Sequence, residues 1–248
     1  MSVHARHPGG TNGGTHAAVI RRSWTLFDVP IAAGQPSELL ATISGWASQR
    51  VTHRVMHVNA HVINRSRTTP ELARALRRAD LVYGEGRGLR LAARMTHTTV
   101  AGRMTPTDWI WGLAAVSDLP GPTLYLLGSE PPVALDAADR LRRCHPRFDV
   151  VGAHHGFFDL DSPHNERVIE DINERQPQIV LVGMGTPKQE LWADRYADRL
   201  GGAVVWTVGA LLDHVSGHVP SRRTWRRYLI ENPSFVRGVL AEARRSGS

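Results

Sequence analysis

A glycine-rich turn at residues 183–192, GMGTPKQELW, follows an apolar run and precedes a helical pattern. Thr186 fits a helix N-cap, Pro187 the first helical position and Gln189 the third position of a capping box. Lys188 does not fit, because a cation in the first turn opposes the positive end of the helix dipole unless an anion is bound there. It is also the only lysine among 30 lysines and arginines. The turn therefore predicts an anion site at a helix N-terminus. The alternative is that a single lysine remains here by chance in a chain whose composition favours arginine.

A second glycine-rich turn, GEGRG at 84–88, places the carboxylate of Glu85 directly after another apolar run. A carboxylate at the end of a strand can act as a general base that removes the proton of an attacking hydroxyl. The alternative is an acidic residue at a helix N-terminus, where the helix dipole stabilises it by about 0.3–1 kcal/mol. The position between two glycines at a strand end favours the general base.

Side chains that could bind a metal lie at the end of another apolar run. His154 and His155 are adjacent, and neighbouring residues of a strand point to opposite faces, so we expect them not to share an ion. Asp159 and Asp161 form an Asp-x-Asp pair, but Ser-Pro follows at once and predicts a helix cap with a first-turn proline. The sequence therefore predicts no metal and no other cofactor.

Six apolar, β-branched runs alternate with helical patterns, which predicts how these turns are positioned. The runs occupy residues 54–60, 80–84, 123–128, 148–154, 178–185 and 203–210. The alternation predicts an α/β fold, a Rossmann-like and largely parallel sheet with helices on both faces, followed by a short basic helical appendage. Ligands of such sheets bind beyond the carboxyl ends of the strands, where the glycine-rich turns lie. Neither turn has the spacing of a dinucleotide fingerprint or a Walker P-loop.

Composition limits the class of protein and of partner. A chain of 248 residues with 42% hydrophobic content can bury a substantial core. Its net charge of +7 suits an anionic partner, whether nucleic acid, a phosphorylated substrate or an acidic membrane surface. The single cysteine, Cys144, excludes an internal disulfide framework and favours a reducing compartment such as the cytoplasm.

The pattern of residues along the chain predicts three regions. Residues 1–21 are predicted to be a disordered leader without the apolar core of a signal peptide, and no apolar run approaches the ~20 residues that cross a bilayer. Residues 22–221 form the predicted α/β domain. Residues 222–248 form a basic tail, in which aromatic residues stand among seven arginines and two glutamates. Such a tail can hold a protein reversibly on an anionic membrane, but it can also be a terminal helix packed on the domain.

Taken together, the motifs resemble the WecG/TagA/CpsF family, glycosyltransferase family 26. They are LFDVPI (26–31), VNAHVI (58–63), ADLVYGEGRG (79–88), AGRMTPTD (101–108), YLLGS (125–129), VVGAHHGFF (150–158), VLVGMGTPKQELW (180–192) and VGALLDHVSG (208–217). The resemblance implies transfer of an N-acetylhexosamine, commonly N-acetylmannosamine, from a UDP-sugar to a polyprenyl-diphosphate-linked acceptor. It also implies an inverting, metal-independent enzyme that makes a cell-surface polysaccharide or glycolipid precursor. Such an enzyme would lie in the cytoplasm, peripherally bound to the inner face of the cell membrane.

The resemblance also implies roles for individual residues. Glu85 stands where the family has its proposed base, and Arg103, eighteen residues later, is expected to bind the diphosphate. Asp108 is equally well explained as a helix cap or as a sugar or ribose ligand. The residues expected to bind substrate are His57, Asn59, Arg103, Asp108, Gly183, Gly185, Lys188, Gln189 and Asp213. Those expected at the membrane or the acceptor diphosphate are Arg222, Arg223, Arg226 and Arg227.

Departures from the family pattern keep rival functions open. The family usually has aspartate where this chain has Glu85, many members have threonine where it has His57, and the C-terminal region is contracted. A catalytically inactive member that binds nucleotide sugars or acts as a scaffold is therefore one alternative. A Rossmann-like oxidoreductase lacks its glycine fingerprint, and a nucleic-acid binder lacks a reading module, so nucleic acid is not an expected partner. A second copy of the chain is a partner that the sequence neither requires nor excludes.

Overall fold

The computed structural model describes residues 23–96, 98, 110, 112, 113, 121–218 and 235–242. The strands are β1 (Ser23–Leu26), β2 (Val29–Ala32), β3 (His53–Val58), β4 (Leu81–Gly84), β5 (Thr123–Gly128), β6 (Asp149–His154), β7 (Ile179–Gly183) and β8 (Val204–Thr207). They form one eight-stranded sheet in the order β1-β2-β4-β3-β8-β7-β5-β6. Only the β1–β2 pair is antiparallel among the described pairs, so the predicted largely parallel sheet is confirmed.

Helices connect the strands and cover both faces of the sheet, as predicted. They are α1 (Pro36–Gln49), α2 (Ala60–Ser66), α3 (Pro70–Arg78), α4 (Gly86–Met95), α5 (Val133–Cys144), α6 (Pro163–Arg175), α7 (Lys188–Tyr196) and α8 (Leu211–Ser216), with a helical segment at 235–242 that we label α9. Val180 and Val182 of β7 enter one core cluster, whereas Ile179 and Leu181 enter the other. A strand buried on both faces is apolar throughout, which is why the runs were visible in the sequence.

The β1–β2 hairpin is the part of the sheet that the alternation of runs and helices did not predict. Its strands have only four residues each, and the turn between them is Phe27–Asp28, with φ of +49° and +61°. Two-residue hairpin turns with positive φ usually contain Asn-Gly or Asp-Gly, so this turn has no recognisable sequence signal. The Arg67 guanidinium lies 4.6 Å from the centre of the Phe27 ring and helps to hold it in place.

The segment α9 packs on the same core as the first half of the chain. Phe235 and Val239 are buried with residues of α2, α3 and α4, and the Phe235 ring approaches Gly88. Phe235 is therefore not one of the aromatic rings available to a membrane. The predicted leader and the tail outside 235–242 lie beyond the described residues. Within the described stretches, no helix combines the length and the hydrophobicity needed to cross a bilayer.

The strand order places a topological switch point between β5 and β7. The connection from β5 leads to β6 on one side, and the connection from β7 leads to β8 on the other. The turns after these strands are in close contact: the Ser129 amide donates to the Gly183 carbonyl at 2.9 Å. Gly128 has a φ of +153°, and a Cβ at this position would collide with the Gly183 backbone. A crevice that can bind a ligand is expected at such a point.

Gly128→Ala should therefore destabilise the fold much more than a glycine substitution elsewhere. The backbone conformation costs about 1–3 kcal/mol for a residue with a side chain. The collision with Gly183 adds about 1–3 kcal/mol. Gly201→Ala is the matched control, because Gly201 also has positive φ (+54°) but its nearest neighbour would be 3.7 Å away. Urea unfolding of both variants measures the difference, and equal losses of stability would contradict the described packing.

Candidate active site

Glu85 lies at the carboxyl edge of the sheet, where β3 and β4 end side by side. Val58 pairs with Gly84 in register, and the Glu85 amide donates to the Val58 carbonyl at 2.8 Å. Glu85 is the N-cap residue of α4, but its side chain makes no capping hydrogen bond. The carboxylate instead faces the end of β3, and 19% of the side chain is exposed. It is thus held by the protein while remaining open to a ligand.

Two side chains from the end of β3 contact the same carboxylate oxygen. Asn59 Nδ2 lies 3.4 Å from Glu85 Oε1, and His57 Nε2 lies 3.8 Å from it. The side-chain oxygen of Asn59, Oδ1, accepts hydrogen bonds from the His61 and Val62 amides, which caps α2 and turns the side-chain nitrogen Nδ2 toward Glu85. The structure therefore brings together the predicted residues His57, Asn59 and Glu85.

A backbone contact with the strand β8 fixes the orientation of the buried His57 ring. Its Nδ1 lies 3.0 Å from the Thr207 carbonyl oxygen, and since a carbonyl only accepts, Nδ1 carries a proton. The other nitrogen, Nε2, then faces Glu85.

The open side of this cluster is marked by Gly86. It has a φ of +87°, and no atom lies within 4 Å of the place where a Cβ would stand. Gly209, by contrast, approaches the His57 ring so closely that an added Cβ would lie 3.1 Å from it. Glycine is therefore required at 209 for packing and at 86 for backbone conformation beside open space.

A buried polar network beneath the cluster contains Glu190, which the sequence analysis did not select. Glu190 Oε1 accepts hydrogen bonds from Thr186 Oγ1 (3.1 Å) and Gln189 Nε2 (2.7 Å), and Gln189 Oε1 accepts from the Gly209 amide (3.2 Å). Both Gln189 and Glu190 are fully buried. Burial raises the pKa of Glu190, and the hydrogen bond from Gln189 opposes this rise.

Gln189 is therefore buried and positions the turn after β8. A signal for Glu190 was present in the sequence, because it stands three residues before the apolar Ala193 on the face of α7 that packs on the core.

The predicted capping box at the start of α7 is wrong. The helix begins at Lys188, with Pro187 as its N-cap residue and no side-chain cap. The Thr186 hydroxyl is used by Glu190 and the Gln189 side chain by Gly209, so neither is free to cap. Side-chain hydrogen bonds to Glu190 and Gly209 have replaced those that a capping box would make.

Lys188 is held by the loop that follows β6. Its ammonium donates to the carbonyls of Gly156 (2.8 Å) and Phe158 and lies 4.9 Å from the centre of the Phe158 ring. Burial lowers the pKa of Lys188, while Asp159 opposes this. An ammonium group has three N–H donors, so among the described residues one is left without an acceptor and can bind an anion. The lysine clamps this loop, a role that its position in the sequence did not reveal.

The other predicted substrate residues are placed as follows. A Cβ on Gly183 would lie 2.7 Å from the Gly209 carbonyl oxygen, so this glycine serves close packing. Gly185 has a φ of +78° and open space in front of it. Asp213 accepts a hydrogen bond from the Ser129 hydroxyl at 2.9 Å, across the turns after β5 and β8. Six predicted residues lie outside the described part of the chain: Arg103, Asp108, Arg222, Arg223, Arg226 and Arg227.

The loop after β6 contradicts one expectation and confirms another. His154 and His155 do lie together, with ring centres 4.4 Å apart, because β6 ends at His154 and strand alternation does not extend to the next residue. Ser162 caps α6 by accepting from the Asn165 amide, with Pro163 in the first turn, as predicted. Asp161 is exposed and lies 3.4 Å from an Arg195 nitrogen.

Comparison with known proteins decides the family. Residues 24–222 match the sequence model of the glycosyl transferase WecG/TagA/CpsF family. The chain belongs to this family. Its relatives include proteins of Staphylococcus aureus strains NCTC 8325, COL and MRSA252, each named N-acetylglucosaminyldiphosphoundecaprenol N-acetyl-beta-D-mannosaminyltransferase. Each is 24% identical over 163 residues, which cover 66% of this chain and 63% of the relative. The WecG/TagA/CpsF match includes every predicted site residue up to Arg222.

The Glu190→Gln variant should be more stable than the wild type, and the difference in free energy of unfolding should grow as the pH rises. A glutamate whose pKa is raised by folding binds more protons in the folded state, so stability falls as the pH increases from the ordinary value of 4.5 through the folded pKa. Glutamine removes this loss, so the advantage of the variant should grow over that interval. Urea unfolding at pH 4.5 and pH 7 measures it.

Glu166→Gln is the control of opposite sign. The exposed Glu166 has its pKa lowered by a hydrogen bond from Arg199, so its loss should remove stability present above pH 4.5. A Glu190→Gln variant that loses stability at pH 7 would show that the buried carboxylate is charged and needed.

Proposed function

We propose that the chain is an inverting glycosyltransferase that transfers an N-acetylhexosamine, N-acetylmannosamine in the first instance, from a UDP-sugar to a polyprenyl-diphosphate-linked N-acetylglucosamine. Family membership supports the reaction class, and the names of the relatives support the sugar and the acceptor. The observation that carries the proposal is Glu85, a partly exposed carboxylate at a strand end with His57 and Asn59 on one of its oxygens.

The proposed reaction is a single displacement at the anomeric carbon. Glu85 removes the proton of the acceptor hydroxyl while that oxygen forms the new bond to the anomeric carbon from the face opposite UDP. The bond between the anomeric carbon and the diphosphate oxygen breaks, UDP leaves with the electron pair, and the proton stays on Glu85. Asn59 and His57 are positioning residues, because they fix Glu85 Oε1 and turn the other oxygen toward the acceptor.

The donor nucleotide is proposed to bind at the switch point between β5 and β7, with its diphosphate directed along the strand ends toward Glu85. Three features lie on this edge of the sheet: the space beside Gly185 that no described residue fills, the Lys188 N–H without an acceptor among the described residues, and the Ser129–Asp213 pair. Preorganised amides and cations stabilise the charge that develops on a leaving diphosphate. Arg103 is proposed to add its guanidinium, since it matches the geometry of phosphate. In this proposal no metal takes part in the chemistry.

The acceptor requires the protein to reach a lipid surface. We propose that it acts at the inner face of the cell membrane in the synthesis of a cell-surface polysaccharide or glycolipid. The four tail arginines support this, since each arginine near an anionic surface contributes about 1 kcal/mol. The rival proposal is an inactive member that binds UDP-sugars, and it is supported by glutamate in place of aspartate at 85 and by histidine at 57.

Glu85→Gln should lower turnover while leaving UDP binding nearly unchanged. Loss of a positioned general base costs about 10²–10⁴-fold in rate. Release of UDP from a UDP-N-acetylhexosamine in the presence of a short polyprenyl-diphosphate acceptor measures turnover, and calorimetry measures UDP binding. Glu166→Gln, an exposed glutamate on α6, is the control. Normal turnover of the Glu85→Gln variant would remove Glu85 from the mechanism.

Replacing the four tail arginines by alanine should abolish sedimentation with anionic vesicles. At about 1 kcal/mol per arginine, the four substitutions weaken membrane binding by roughly three orders of magnitude at low salt. Deleting the whole tail is a poorer test, because Phe235 and Val239 belong to the core. The control carries four alanines at exposed arginines elsewhere: Arg74, Arg77, Arg140 and Arg143. If the control loses vesicle binding to the same extent, the effect depends on net charge alone and not on the tail arginines in particular.

A further inference from the structure

Three histidines meet at the end of β6, at the far edge of the sheet from Glu85. They are His154 at the strand end, His155 next in the chain and His164 in the first turn of α6, and their candidate ligand atoms all lie within 4.8 Å of one another. Four strands separate β6 from β4 in the sheet. At about 4.8 Å per strand, the cluster is roughly 24 Å from the end of β4. It is therefore separate from the Glu85 cluster.

The two closest nitrogens are spaced as ligands of one ion. His154 Nε2 and His164 Nε2 are 3.2 Å apart. Two nitrogens at about 2.0–2.1 Å from a tetrahedral zinc ion would be about 3.3 Å apart. The half-buried rings leave the site accessible from solvent. The pair thus needs almost no movement to bind an ion.

The tautomer of His154 is already the one that a metal requires. Its Nδ1 lies 2.7 Å from the His155 carbonyl oxygen, so Nδ1 carries the proton and the lone pair of Nε2 points at the cluster. A ligating histidine commonly donates its other N–H to a backbone carbonyl in this way.

The third ligand needs a small adjustment. His155 Nδ1 accepts a hydrogen bond from the Phe157 amide at 3.2 Å, and this long bond must be given up if Nδ1 is to bind the ion. The alternative ligand atom is its Nε2. Either choice moves only a half-buried ring that follows the strand.

We propose that His154, His155 and His164 form a binding site for a late divalent transition metal ion, with zinc as the expected occupant and an open fourth position for water. Imidazole ligands suit zinc, cobalt and nickel and do not suit magnesium or calcium. The ion would join the end of β6 to α6 and hold the loop that Lys188 also binds. The site stabilises this loop and takes no part in the proposed sugar transfer.

The test uses the untagged full chain, stripped with a chelator and then titrated with Zn²⁺ by calorimetry and with Co²⁺ by visible absorption. The wild type should bind Co²⁺ with the intense absorption of a four-coordinate site. His154→Ala and His164→Ala should each bind one ion fewer per chain, or bind it weaker by more than the ~10–100-fold typical for loss of an outer-shell partner. His214→Ala, an exposed histidine on α8, is the matched control and should bind as the wild type does.

His164→Gln accompanies the alanine variants, because glutamine fills the space of the ring without its ligand nitrogen, and circular dichroism checks the fold of each. If the wild type binds no ion beyond those bound by the His154→Ala and His164→Gln variants, the histidines are a hydrogen-bonded pair with a third neighbour and the proposal fails. Equal loss of binding in His214→Ala would also overturn it.

Discussion

The hydrogen bond from the Glu85 amide to the Val58 carbonyl, at 2.8 Å, determines the geometry of the candidate active site. It continues the parallel pairing of β3 and β4 by one residue beyond the strands, so that Asn59 and Glu85 leave the sheet side by side. A slip of one residue in this register would send Glu85 to the opposite face. The carboxylate therefore depends on the apolar strands that fix the register.

A second layer of buried polar contacts supports this arrangement from the next two strands. The Thr207 carbonyl holds the His57 ring, and Gln189 links the turn after β8 to Glu190. Buried polar groups of this kind are costly unless they are paired, and Oε2 of Glu190 has no hydrogen-bond partner in the part of the chain that the structure describes. A raised pKa relieves that cost, because a neutral carboxyl group is easier to bury than a carboxylate.

The sequence predicted the parts of the fold and site that follow from local patterns. Strands buried on both faces appear in the sequence as apolar runs, and the GEGRG turn after one of them correctly placed Glu85 at the end of a strand. The β1–β2 hairpin was not predicted, because its turn contains Phe27 and Asp28 in place of the usual turn residues. The capping box at Thr186 and the separation of His154 from His155 were wrong for a related reason. Each rested on a local rule that a tertiary contact, or the end of a strand, overrides.

Long-range contacts made by single side chains were beyond prediction. Nothing in the order of residues shows that Lys188 bonds the carbonyls of Gly156 and Phe158, or that His164 lies 3.2 Å from His154. Such contacts depend on how the loops pack against the sheet, which no local sequence pattern determines.

The most direct test of the account is the stereochemistry and acceptor dependence of sugar transfer by the purified chain. Incubation with a panel of UDP-N-acetylhexosamines and a polyprenyl-diphosphate-linked N-acetylglucosamine should release UDP only when the acceptor is present. The new glycosidic bond should have inverted anomeric configuration by nuclear magnetic resonance, as a single displacement assisted by Glu85 requires. Tight UDP binding without transfer of any sugar in the panel, or a product with retained configuration, would contradict the account.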